Sequence, residues 1–91
     1  MIKNLLPVGS VVLLKGATKK LMITGIKPVR EEEPEVVYDY IGVYYPEGYL
    51  SPDYNFLFNH SDINDVVFTG YSNPEREAFI EFLEEASKNK Q

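Results

Sequence analysis

The sequence predicts a small, mainly β domain with one C-terminal α-helix (α+β), and three observations lead to this fold class. The chain has 91 residues, which suits one domain, and we expect that domain to span residues 1–91. Five short apolar or alternating stretches are separated by turns rich in Gly, Pro, Asn and Asp, which is typical of strands. The segment after residue 73 has apolar residues at helical spacing.

The first two strands are predicted to form a hairpin. Val11–Leu14 is an apolar run rich in β-branched residues that ends at Gly16, and Leu21–Ile26 follows after a short polar loop. Gly25 lies inside the second strand, where a glycine often marks a bulge or a sharp bend. We therefore expect an irregularity in strand pairing at this position.

The third strand, Val36–Tyr45, has the strongest alternation in the chain. Alternate residues point to opposite faces, so one face carries Val37, Ile41, Val43 and Tyr45, and the other carries the remaining three tyrosines. We expect the aliphatic face to join the core. The other face would then be exposed unless the helix covers it, and its tyrosines are Tyr38, Tyr40 and Tyr44.

The fourth and fifth strands are predicted at Asn55–Asn59 and Asp65–Thr69, with a single helical or 3₁₀ turn from residue 60 to residue 63 between them. In SH3-like barrels a 3₁₀ turn also precedes the fifth strand. The order of elements therefore predicts a small, curled, five-stranded antiparallel sheet of the SH3-like barrel type over about residues 8–71.

The C-terminal helix is predicted at about residues 74–88. Asn73 is a favourable N-cap, and Pro74 suits the first helical position. Four apolar residues share one face and are expected to pack on the sheet: Phe79, Phe82, Leu83 and Ala86.

Charge is unevenly distributed along the chain. The net charge is −5; residues 1–30 carry six bases and no acid, whereas residues 31–91 carry all fourteen acids and three bases. This asymmetry indicates either a partner-facing side or two parts that neutralise each other in the fold. Cysteine is absent, which excludes disulfides and a Cys nucleophile. No apolar run approaches the length of a membrane span, so we expect a cytoplasmic protein without a membrane partner.

Candidate catalytic groups are few. His60 lies beside Asp62, which leaves open a general base or a metal ligand, but no second His or Cys completes either site. Asp62 and Asp65 do not follow a calcium-loop pattern. We therefore interpret His60 and Asp62 as turn residues and expect no catalytic residue, no metal and no cofactor.

The sequence indicates candidate binding residues more clearly than catalytic ones. Tyr is favoured at protein interfaces because its ring is apolar and its hydroxyl remains hydrated. We expect a partner-binding surface formed by Tyr38, Tyr40, Tyr44 and Tyr49. Two alternatives remain: the acidic loop Glu31–Glu35 as a docking site for a basic partner, and phosphate contacts at the hairpin tip by Lys15, Lys19 and Lys20.

Several stretches together resemble a known family. They are LLPVGSVVLLKG at 5–16, KKLMITG at 19–25, YDYIG at 38–42, YPEG at 45–48, FNH at 58–60, DI at 62–63 and VFTGY at 67–71. In this order they resemble a bacterial family catalogued as domain of unknown function 4176, over about residues 5–83.

The resemblance implies a small cytosolic protein of Gram-positive bacteria, encoded beside type VII secretion genes and LXG-type toxins. It therefore implies a non-enzymatic accessory or adaptor protein that binds an LXG-type effector or its small helical secretion partners. The alternative is a nucleic-acid-binding or regulatory protein built on a small barrel, which the basic hairpin suggests. The net negative charge favours a partner other than nucleic acid.

Overall fold

The computed structural model describes residues 4–27 and 37–89. Five strands and one long helix follow in chain order: β1 Val11–Leu14, β2 Leu21–Ile26, β3 Tyr40–Tyr44, β4 Phe56–Phe58, β5 Ile63–Phe68 and α1 Pro74–Asn89. The strands form an antiparallel sheet in the order β4-β3-β2-β1-β5. The predicted five-stranded fold with one C-terminal helix is confirmed, but the sheet is open, because β4 and β5 are its two edges instead of closing a barrel.

The predicted bounds of β1 and β2 are confirmed, and the pairing of β2 with β3 shifts register between Ile23 and Gly25, as the glycine indicated. The third strand begins later than predicted, at Tyr40. One reason is that the Asp39 N–H donates to the side-chain oxygen of Asn59, at 3.1 Å, instead of to a neighbouring strand. The single 3₁₀ turn before β5 is present at His60–Asp62. The acidic run Glu31–Glu35 lies outside the described residues.

The core lies on the face of β3 that was expected to be exposed. Tyr40 has 0% of its surface exposed, and Tyr44 is half-buried against the same core. Gly42 lies between them on this face, and the ring of Phe58 comes so close that a Cβ at Gly42 would be 3.3 Å from it. The fully packed cluster consists of Leu5, Val12, Leu21, Ile23, Tyr40 and Phe58.

The opposite face of β3 only partly follows the expectation. Val43 is buried as predicted, whereas Ile41 is half-buried and Val37 is exposed. In the register, Met22 pairs with both Val11 and Val43, and the two valines are buried on either side of it. The centre of the sheet is therefore covered on both faces.

Helix α1 presents a different face to the fold than the apolar spacing predicted. The Asn73 side-chain oxygen accepts the Arg76 N–H at 2.9 Å, which confirms the predicted N-cap. Among helix residues 74–86, whose burial the structure describes, Ile80 is the buried one, whereas Phe79 and Phe82 are 45% and 65% exposed. The expectation that both phenylalanines are buried is wrong. Within residues 4–27 and 37–89, no helix has the length and apolarity needed to cross a lipid bilayer.

The N-terminal segment, residues 5–10, explains the orientation of α1. The Arg76 guanidinium donates to the Leu5 carbonyl at 2.6 Å, so the helix face that carries Arg76 turns towards this segment. Ile80 follows Arg76 by one helical turn and is buried. The Gly70 N–H donates to the Ser10 hydroxyl at 2.9 Å, and Ser10 is itself fully buried. A polar contact, which the apolar pattern does not encode, therefore sets the rotation of the helix.

Candidate functional site

Polar side chains converge where β2 ends, β3 begins and the His60–Asp62 turn leads into β5. We call this group the polar cluster; its members are Lys27, Asp39, Tyr40, Asn59 and His60. They come from three separate parts of the chain, and each is hydrogen-bonded to at least one other member. The polar cluster is therefore the first candidate for chemistry in the described residues.

Asp39 is the centre of the polar cluster. One carboxylate oxygen accepts the Lys27 ammonium at 2.8 Å, and the other accepts the His60 backbone N–H at 2.8 Å. Burial by itself raises the pKa of Asp39, but the His60 N–H and the Lys27 charge outweigh it, and the pKa lies below its ordinary value. Lys27 adopts a left-handed φ of 50°, and its N–H also donates to the Asp39 carbonyl at 2.8 Å. The carboxylate is thus held ionised as a structural anchor.

Tyr40 and His60 form the inner part of the polar cluster. The Tyr40 hydroxyl lies 2.7 Å from His60 Nδ1, and its oxygen accepts the Leu6 N–H at 2.9 Å. The Tyr40 hydroxyl thus contacts both the Leu6 N–H and His60 Nδ1, and the tautomer of the ring sets which of Tyr40 and His60 donates. Burial raises the pKa of Tyr40, and the Asp39 charge also raises it, against the opposing effects of the Leu6 N–H and Arg76. Tyr40 therefore acts as a neutral hydroxyl that joins three segments.

The turn that carries His60 is closed by its own side chains. The Asn59 N–H donates to the Asp62 carboxylate at 2.9 Å, and the Asp62 N–H donates to the Asn59 carbonyl at 2.9 Å. The Asp62 carbonyl accepts the Lys15 N–H at 2.9 Å, which ties the turn to the end of β1. The interpretation of Asp62 as a capping residue is confirmed by these bonds.

Taken together, these bonds give the polar cluster little chemistry to perform. The Asp39 carboxylate, the Tyr40 hydroxyl and His60 Nδ1 are all engaged within the protein, and within the polar cluster no nucleophile lies beside a free base. Across the described ranges, no three His, Cys, Asp or Glu residues gather in a geometry that would hold a metal ion. The arrangement orients the chain segments and fits a structural joint better than a catalytic centre.

The four tyrosines predicted to bind a partner do not share one exposed surface. Tyr40 is buried, so the expectation that it contacts a partner is wrong. Tyr38 and Tyr44 are half-buried, and the Tyr44 ring packs on Phe56 at 4.8 Å between centroids. Tyr49 is 64% exposed and is the most exposed of the four. Tyr40 points inward because the Leu6 N–H and His60 Nδ1 satisfy its hydroxyl.

The comparisons with known proteins place the chain in a family. A family model described as a domain of unknown function, DUF4176, matches residues 5–79. The chain belongs to the DUF4176 family. The match spans all five strands and the first part of α1. No curated protein and no solved structure matches the chain significantly.

A second candidate site in this DUF4176 protein is apolar, and the tyrosine-based prediction missed it. From β5 onwards, large apolar side chains are repeatedly exposed: Val66, Val67, Phe68, Tyr71, Phe79 and Phe82. Phe68 is 60% exposed even though it pairs with the buried Val11, because β5 is an edge strand. Val66-Val67-Phe68 is an unbroken apolar run without alternation, and this pattern was the available signal. The run lies in the predicted fifth strand, for which no exposed face was predicted.

The charged surface of the DUF4176 protein has two notable features. At the hairpin tip, Lys19 lies 2.9 Å from Glu47, and this hydrogen bond holds the pKa of Glu47 below its ordinary value. The same ammonium lies 5.7 Å from the centre of the Tyr44 ring. On the helix, an open cleft of about 330 Å³ is lined by Ser72, Arg76, Glu77, Ile80 and Glu81. Lys19, one of the three lysines predicted to contact phosphate, is therefore already paired with Glu47. The cleft on the helix is lined by two carboxylates, those of Glu77 and Glu81.

Proposed function

We propose that this DUF4176 protein is a non-enzymatic binding module of the cytoplasm. Its proposed role is that of an accessory or adaptor protein for an LXG-type effector of type VII secretion, or for the small helical partners of such an effector. The family context implied by the sequence motifs supports the choice of partner. The surface of the described residues supports the choice of a binding role over a catalytic one.

The observation that carries the proposal is the concentration of exposed apolar side chains in β5 and α1. Single exposed apolar residues are ordinary, but clusters of large ones mark interaction surfaces. Phe82 is 65% exposed and its ring stacks on Phe79, with centroids 6.5 Å apart. Tyr71, between β5 and α1, is 78% exposed. Aromatic residues with this exposure are the side chains that anchor protein interfaces.

The proposal is tested by co-expressing the tagged chain with an LXG domain and its small helical partners. We expect a complex that survives size-exclusion chromatography, with its stoichiometry measured by light scattering. If the LXG domain and the helical partners all elute separately from the chain at micromolar concentration, the adaptor role is wrong.

The same preparation also tests the nucleic-acid alternative. Lys15 and Lys20 are exposed, and this exposure is the observation that favours it. The pairing of Lys19 with Glu47 and the net charge of −5 oppose it. RNA or DNA that co-purifies with the chain and is released by Lys15→Ala/Lys20→Ala would favour that function over the adaptor role.

A further inference from the structure

Strand β5 is an edge of the sheet that the described part of the chain leaves open. It pairs with β1 on one side, and no strand of the sheet lies on its other side. Residues 64–69 are all exposed, including the consecutive apolar residues Val66, Val67 and Phe68. An open edge offers backbone N–H and C=O groups to another strand. The directions of these groups therefore decide what can pair with β5.

The hydrogen bonds of β1 identify the residues of β5 whose backbone groups point outward. Successive residues of a strand direct these groups alternately to its two sides. The Ser10 carbonyl accepts the Ile23 N–H from β2 at 2.8 Å, so Val12, two residues further on, also faces β2. Val66 lies opposite Val12 and therefore directs its N–H and C=O away from β1.

The first residue of β5 also directs its carbonyl outward. The Lys15 N–H donates to the Asp62 carbonyl at 2.9 Å, so Asp62 faces β1. Ile63 follows Asp62 and points to the opposite side. The Ile63 N–H is already bonded to the His60 carbonyl, which leaves the Ile63 carbonyl as the free group at this end of the edge.

The end of β5 nearest α1 follows the same alternation. Phe68 lies opposite Val11, which faces β5, so Phe68 faces β1 and the next residue, Thr69, faces outward. The register between β1 and β5 shifts twice, and each shift adds one residue to β5. The outward positions are consequently every third residue: Ile63, Val66 and Thr69.

This spacing selects the strand that can pair with β5. A regular antiparallel strand presents its groups at every second residue, so it does not match successive groups that are three residues apart. A second copy of β5 has the same spacing. In an antiparallel pair centred on Val66, the two Val66 residues exchange N–H to carbonyl bonds. Each Thr69 N–H then meets the free Ile63 carbonyl of the other copy.

The side chains of β5 suit the same pairing. The two Val66 side chains lie next to each other, because directly opposite residues share a face of the sheet. Asp65, the charged residue of β5, is then opposite Val67 of the other copy. A pair centred on Asp65 would instead oppose two carboxylates, and its central backbone groups would face β1, since Asp65 lies opposite Leu13.

We propose that this protein forms a two-fold symmetric dimer by antiparallel pairing of β5 with β5 of a second copy. The two sheets join into one sheet that is continuous across the dimer. The net charge of −5 on each copy opposes association, so added salt should strengthen the dimer by screening this repulsion. The inference goes beyond the adaptor role and does not depend on it, because it concerns this chain alone.

The dimer is tested by sedimentation equilibrium of the full chain between about 5 and about 200 µM, a range suited to a small interface. Val66→Lys and Val66→Glu each place like charges opposite each other and should weaken the dimer by about tenfold or more. An equimolar mixture of the two variants should associate again, since Lys then opposes Glu. The control is Phe82→Lys, at an exposed position of α1, which should leave the affinity within about twofold.

A wild-type chain that remains monomeric at the highest concentration would overturn the proposal. A mixture of the two Val66 variants that stays monomeric would do the same, because residue 66 would then not face its own copy. Association that Phe82→Lys abolishes and Val66→Lys leaves intact would place the self-association surface on α1 and contradict the pairing of β5.

Amide hydrogen exchange of the wild type provides a measurement that does not require any variant to fold. The Val66 and Thr69 N–H groups should become more protected as protein concentration rises, because the dimer bonds them. The Ile63 N–H is the internal control, since it is already bonded to His60 and its protection should not change. Protection of Val66 and Thr69 that is independent of concentration would show that β5 does not pair with a second copy.

Discussion

The region around Tyr40 and the region formed by β5 and α1 differ in where their side chains find partners. Around Tyr40, the hydroxyl, the carboxylate of Asp39 and the ring of His60 all bond within the chain. Along β5 and α1, Phe68 and Phe82 face solvent although both are large and apolar. Residues that are already satisfied hold a fold together, whereas residues without partners are available for binding. The difference predicts that substitutions in the two regions will have opposite effects on stability and on binding.

The largest effect is expected from Tyr40. Tyr40→Ala removes a fully buried ring that packs on Phe58 at 5.4 Å and should lower the free energy of unfolding by about 3–5 kcal/mol. Tyr40→Phe keeps the ring but leaves the Leu6 N–H and His60 Nδ1 unpaired, and should cost about 1–3 kcal/mol. Urea denaturation of both variants measures these values. A loss below about 1 kcal/mol for the alanine variant would contradict the burial of this residue.

Within the helix, substitutions of Ile80 and of Phe82 should change the free energy of unfolding by very different amounts. Ile80→Ala removes a buried side chain and should lower the free energy of unfolding by about 2–4 kcal/mol. Phe82→Ala removes a larger but exposed side chain and should change it by about 0.5 kcal/mol or less. Thermal unfolding of the two variants tests this order. A reversed order would restore the helix orientation that the apolar spacing predicted.

Much of the fold was predictable because it depends on local patterns. The strands of the first hairpin, the Gly25 irregularity and the Asn73 cap are each encoded by neighbouring residues. Two orientations were not predictable in this way. The inward direction of Tyr40 depends on the Leu6 N–H, 34 residues away, and the rotation of α1 depends on Arg76 reaching Leu5, 71 residues away.

In the candidate sites, too, features that depend on neighbouring residues were predictable, whereas others were not. The capping role of Asp62 was predictable because its partner Asn59 is three residues away. The exposed stripe on α1 was not, since Phe79 and Phe82 have the spacing of a buried face. Hydrophobic periodicity indicates that a face will be covered, but it does not indicate whether the fold or a partner covers it.

Asp39 should make the Tyr40 region sensitive to acid. Its pKa in the folded chain lies below the ordinary value of 3.8, so its stabilising effect is complete above that pH and is lost as pH falls through the folded-state pKa. Asp39→Asn should therefore lower the free energy of unfolding by about 1–3 kcal/mol at neutral pH. The difference in the free energy of unfolding between Asp39→Asn and wild type should narrow below pH 3.8.

Urea denaturation across this pH range measures the gap, and Asp53→Asn serves as the control because Asp53 is exposed. The control should follow wild type at every pH. A gap for Asp39→Asn that stays constant into strong acid would show that the ionised carboxylate is not the stabilising form.

The smallest effect is expected from Lys19. Its ion pair with Glu47 has both side chains 44% exposed, so water and salt screen it. Lys19→Met should leave the urea midpoint unchanged within error. Lys27→Met removes the half-buried partner of Asp39 and should shift the urea midpoint measurably. Equal shifts in the two variants would show that burial does not separate these two ion pairs.

The position of the N-terminal segment has a consequence for the order in which the protein is completed during translation. Its partners lie 34, 60 and 71 residues further along, at Tyr40, Gly70 and Arg76. Residues 5–10 are therefore synthesised well before the residues that complete their bonds. A nascent chain that ends at Gly70 lacks Arg76 and should be cleaved by protease far faster than the full chain, as pulse proteolysis of stalled ribosome complexes would measure. Equal protection would mean that the sheet forms its native core before α1 is made.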